Sequence, residues 1–137
     1  MMSMEEILKL NTVANIKYIQ KTLEKFDITN INKEIIDEIR KKEDFNKLCN
    51  DTQLKITMLA TSLTVADKGK NEITEKEIIK AIDDLFFEIN CQILVEDGLA
   101  KRDKKWTWKD RNKISYTITP KGKVEVERIM DERNSRN

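Results

Sequence analysis

Apolar residues recur at helical spacing along most of this chain, and at alternate positions over one stretch near its end. Residues 4–26 place Ile7, Leu10, Ala14, Tyr18 and Leu23 near one helical face, with Ile16 and Ile19 widening the stripe. Asp27-Ile28-Thr29-Asn30 breaks that pattern, and Asn30 or Asn32 can cap the next helix. This second helix is predicted over about 33–42, with Ile35, Ile36 and Ile39 on one side and Lys33, Asp37, Glu38, Arg40 and Lys41 on the other. Phe45 and Leu48 fit a short turn before Asn50-Asp51-Thr52. Residues 53–67 read as a central helix, because Leu54, Ile56, Met58, Leu59, Leu63 and Val65 make it apolar on more than one face. Gly69 is a left-handed stop for it.

Thr74-Glu75-Lys76-Glu77 is a capping box: the Thr74 oxygen can accept from the third helical N–H while Glu77 reaches back. Two readings of the next segment stay open. Asp83-Asp84 can cap a new helix running to Glu96, or Ile78, Ile82, Leu85, Ile89 and Ile93 can hold one helix through 75–97. The broken version is our working expectation. After Gly98 the period changes: Trp106 and Trp108 share a face, as do Ile114, Tyr116 and Ile118, with Asp110-Arg111-Asn112 as a turn between them. This predicts a β-hairpin of about 20 residues. Thr119 then caps a last helix with Pro120 at its first position, and Val124, Val126, Ile129 and Met130 give that helix a partly apolar face.

The run Leu94-Val95-Glu96-Asp97-Gly98-Leu99, the basic hairpin and Thr119-Pro120-Lys121-Gly122 together resemble the second half of a winged helix-turn-helix domain of the MarR- and PadR-like kind. The match is best over residues 73–130. The resemblance implies a mainly α fold with a small β-hairpin. Its parts would be an N-terminal helical extension over 1–50, a winged core over 51–119, and a C-terminal helix and tail over 120–137. It also implies double-stranded DNA as partner, transcription regulation, and a homodimer formed by the terminal helices. Residues 54–82 are similar in a looser way to AAA+ lids and histone folds, which also use a threonine-capped helix after a short loop.

Charge sharpens this picture. The chain is 37% charged with a net of +1, yet residues 1–98 hold 14 basic and 19 acidic side chains, while 99–123 hold 9 basic and 2 acidic. Lys101, Arg102, Lys104, Lys105, Lys109, Arg111 and Lys113 crowd the predicted hairpin, as a surface contacting DNA phosphates would. The presumed recognition helix does the opposite. Residues 83–97 carry Asp83, Asp84, Glu88, Glu96 and Asp97 with no basic residue, leaving Asn90 and Gln92 as the groups able to read base edges. Either the hairpin leads DNA contact, or acidic helix 84–97 docks on a protein partner. Trp106 and Trp108 are expected to pack inward, with stacking on single-stranded bases as the other possibility.

The chain has no histidine, its three glycines are isolated, and Cys49 and Cys91 match no metal or redox spacing. We therefore expect no enzyme activity, no metal and no cofactor. No run approaches the roughly 18 apolar residues of a membrane span, and the start of the chain does not resemble a signal peptide. A cytoplasmic protein with no membrane partner is the expectation.

Overall fold

The computed structural model of the chain describes residues 26–42, 44–69 and 72–135. The helix expected over 4–26 lies outside the described residues, save Phe26. The architecture is mainly helical with one small two-stranded antiparallel sheet. The chain divides into two compact units, Met1–Ile89 and Asn90–Asn137.

In the first unit, Asp27 accepts a hydrogen bond from the Thr29 N–H at 3.1 Å and opens a 3-10 turn over Ile28–Asn30. Asn32 then caps helix α1 (Lys33–Lys41) by accepting from the Glu34 N–H at 2.8 Å. Of the two asparagines able to cap it, Asn32 is the one used, and α1 buries Ile36 and Ile39 as its periodicity requires. A second 3-10 turn, Phe45–Lys47, leads into helix α2 (Asn50–Lys68). Helix α2 starts before the expected boundary. Its N-cap residue, Cys49, makes no side-chain cap bond. Glu38 of α1 supplies an acceptor instead: its carboxylate takes the Cys49 N–H at 2.7 Å and the Cys49 thiol at 3.4 Å. A hydrogen bond from the Thr52 side chain, followed by the one from the Cys49 N–H, holds Glu38 well below its ordinary pKa, down to about 2.

Helix α2 packs Ile56, Ala60, Leu63 and Val65 into the core and ends at Gly69, whose φ of 65° is the left-handed stop expected from sequence. The capping box also forms: the Glu77 N–H donates to Thr74 Oγ1 at 3.2 Å, and the Thr74 N–H donates to Glu77 Oε1 at 3.4 Å. Glu77 pairs with Lys68 as well, tying the start of the next helix to the end of α2.

Helix α3 runs unbroken over Glu75–Glu96. The expected break at Asp83-Asp84 is not there. Ile78, Ala81, Leu85, Ile89 and Ile93 are buried at successive three- and four-residue steps, and that continuous stripe outweighs the capping tendency of two acidic residues. The helix also exposes large apolar groups: Ile79 is 53% exposed, Phe87 62% and Leu94 43%. Among the described residues, no helix is long and apolar enough to cross a membrane.

Candidate nucleic-acid interface

The second unit is organised by a hydrogen-bonded corner where α3 stops and the last helix starts. Gly98 has a φ of 74°. Its N–H donates to the Val95 carbonyl at 3.1 Å, and the Leu99 N–H donates to the Leu94 carbonyl at 2.9 Å. These are the two bonds of a Schellman stop, and they satisfy carbonyls that the helix end would otherwise orphan. Strand β1 (Ala100–Arg102) comes next and pairs antiparallel with β2 (Tyr116–Ile118), with Ala100 opposite Ile118 and Arg102 opposite Tyr116. Helix α4 (Pro120–Ser135) then begins. Thr119 links the two ends. Its hydroxyl donates to the Gly98 carbonyl at 2.6 Å and accepts from the Gly122 N–H at 3.0 Å. Lys121 Nζ adds a bond to the Asp97 carbonyl at 2.9 Å.

Gly122 is fixed here by space. A Cβ built on it would lie 2.1 Å from the Leu99 carbonyl oxygen and 2.7 Å from Ile118 Cγ1. The backbones of α4 and the residue after the Gly98 corner approach so closely that only hydrogen fits between them. The Gly98, Thr119-Pro120 and Gly122 spacing read in the sequence is thus one physical knot, and it holds both ends of the hairpin.

The first strand lies at Ala100–Arg102, ahead of the two tryptophans on which the alternating pattern placed it, and the second is shorter than predicted. Residues 103–115 leave the ladder, closing with the Asp103 N–H on the Ser115 carbonyl at 3.0 Å and the Ser115 N–H on Asp103 Oδ1 at 2.9 Å. Beyond that point the chain forms turns and a 3-10 turn over Arg111–Lys113. Trp106 and Trp108 sit in this excursion and not on a strand. They are 2% and 3% exposed, so the alternation reflected two indoles turned inward. Stacking of single-stranded bases on these rings finds no exposed surface.

The seven cations expected at the interface separate into two kinds. Lys101, Lys104, Lys105, Lys109 and Lys113 are exposed, and none of the five is ion-paired among the described residues. Arg102 and Arg111 are only half-exposed. The Arg111 guanidinium lies 3.7 Å from the Trp108 ring centroid and donates from Nη1 to the Trp108 carbonyl at 2.6 Å. Arg102 lies over Tyr116 at 5.6 Å, with Nε and Nη2 buried and no acceptor for them among the described residues. Both arginines are inward-facing packing groups with cation–π partners.

Gln92 also differs from expectation. It is 3% exposed, and its Nε2 donates to Glu96 Oε1 at 2.9 Å, so its amide is buried within the fold. Asn90 is half-buried and already engaged by other groups. The sequence pattern did contain a signal for this: Gln92 lies three and seven positions after Ile89 and Leu85, on the buried side of one continuous helix.

No family model matches the chain, and no solved structure matches it at significance. A search of curated proteins finds a similarity of 30% identity over 141 residues to reticulocyte-binding protein 2 of Plasmodium vivax (strain Belem), covering 98% of this chain. The chain spans only 4% of that protein's length.

Proposed function

We propose that the chain is a winged-helix protein that binds double-stranded DNA through the exposed lysines of its hairpin, and that it acts in transcription regulation. The observation that carries this reading is the set of five exposed ammonium groups, unpaired among the described residues, on one hairpin anchored at both ends by the Gly98–Thr119 corner. Such a set neutralises phosphates and releases counterions, which is the dominant source of affinity for a duplex. In this reading α2 and α3 take the helix–turn–helix position, and the unbroken α3 replaces the two helices expected from sequence. The similarity to a small segment of reticulocyte-binding protein 2 supports no particular ligand. The test is anisotropy with a random duplex: the full chain binds at low salt, and a variant with Lys104, Lys105 and Lys109 changed to alanine binds at least about tenfold more weakly. Equal binding by the two proteins removes the hairpin from the account.

One observation favours a second reading, a winged-helix module that docks on another protein. Ile79, Phe87 and Leu94 are exposed along α3 and share a side with Asp83. An exposed apolar stripe of this kind suits a protein surface. Under this reading the chain has no measurable duplex affinity at about physiological salt.

A further inference from the structure

We infer that the hairpin holds DNA by its phosphates alone and so binds duplexes of any sequence alike. This rests on the reading above of the hairpin as a duplex-binding surface. Sequence is read in the grooves chiefly by planar groups that make paired hydrogen bonds: guanidinium to guanine, carboxamide to adenine. Four such groups of the second unit are occupied elsewhere, and Arg133 and Asn134 are exposed only near the end of α4, outside the hairpin. Arg111 is stacked on Trp108 and bonded to its carbonyl, and Arg102 is turned over Tyr116 with two nitrogens buried. Gln92 is buried against Glu96. Arg128 of α4 is held between Glu125 and Glu132.

What remains at the hairpin surface is lysine. Each ammonium is a hydrated point charge on a flexible stem, which suits a phosphate oxygen and lacks the rigid fork that distinguishes one base from another. Lysine can reach guanine, but nothing in residues 100–118 orients these five toward one base. The exception among hairpin amides is Asn112, which is exposed in the 3-10 turn. A lone carboxamide at a turn, with no second group to fix its plane, adds little discrimination. Five phosphate contacts from the hairpin give a salt slope of log K of about 4.5 in magnitude.

The experiment compares three labelled duplexes of equal length in anisotropy titrations with the full chain: alternating A·T, alternating G·C and mixed sequence. Dissociation constants that agree within about twofold at each salt concentration, with a common slope of about 4.5, support the inference. A preference of about fivefold or more is what one bidentate base contact would give, and it overturns the inference while leaving duplex binding intact. Asn112→Ala in the same assay is expected to leave all three constants unchanged; a preference that disappears in that variant would place base reading on Asn112 and likewise overturn it. Absence of binding to every duplex at low salt overturns the underlying reading, and this inference with it.

Discussion

Replacing Gly122 by alanine sets two effects of opposite sign against each other. Glycine inside a helix is less favourable than alanine by about 1 kcal/mol, so helix propensity alone predicts that Gly122→Ala stabilises α4. The surroundings predict the reverse. The new methyl would meet the Leu99 carbonyl oxygen at 2.1 Å and Ile118 Cγ1 at 2.7 Å. An ordinary contact needs more than about 3 Å, so the backbone of Leu99 or of α4 must move by about 1 Å. That carbonyl accepts the Thr119 N–H at 3.1 Å, and the adjacent Gly98 carbonyl accepts the Thr119 hydroxyl at 2.6 Å. Overpacking costs about 1–3 kcal/mol, and weakening one of these bonds adds about 1 kcal/mol. Offset by propensity, the net is a loss of about 2 kcal/mol, or roughly 5–10 °C in Tm. Thermal unfolding followed by circular dichroism reads it directly. Gly69→Ala is the comparison: nothing lies within 4 Å of its built Cβ, and only its φ of 65° opposes the change, at a cost of about 1 kcal/mol. A Gly122→Ala protein that melts at or above the parent's Tm would refute the close approach on which the corner rests.

Three further outcomes derive from the geometry. Thr119→Val removes the hydroxyl that serves both Gly98 and Gly122; urea unfolding should show a loss of about 2 kcal/mol, most of it restored by serine. Glu38 titrates at about 2 in the folded chain against an ordinary 4.5, because Thr52 and Cys49 hydrogen-bond its ionised form. A depressed folded value stabilises above the unfolded one, so this contribution is complete above about pH 4.5 and fades as pH falls toward 2; Glu38→Gln should flatten stability across that window, and an unchanged acid limb would deny Glu38 its capping role. Finally, Trp106 and Trp108 are buried, so single-stranded oligonucleotides should leave tryptophan emission unchanged, whereas strong quenching would mean that bases reach the rings.

Local rules made much of the fold readable in the sequence. Asn32, Gly69, the Thr74–Glu77 box and Thr119-Pro120 act within a few residues of themselves, so their chemistry survives whatever the rest of the chain does. Longer-range packing decides the rest. Asp83-Asp84 carries a cap signal, but the buried stripe from Ile78 to Ile93 keeps the helix going. Helix α2 begins early because Glu38, eleven positions before Cys49, provides the acceptor. At the candidate site, the charge excess over residues 99–123 marks the basic segment and does not sort its cations. Arg102 and Arg111 look like lysines in a tally, but each has an aromatic partner that turns it inward. Arg102 meets Tyr116 only through strand pairing, a relation no local pattern reveals.

The salt dependence of binding decides the proposal that five hairpin lysines hold a duplex by its phosphates. Log K against log salt should be linear for the full chain with a random duplex. Changing Lys104, Lys105 and Lys109 to alanine should reduce the magnitude of the slope by about 2.7, at about 0.9 for each phosphate no longer neutralised. Identical slopes for parent and variant, or no binding by the parent at low salt, would contradict it.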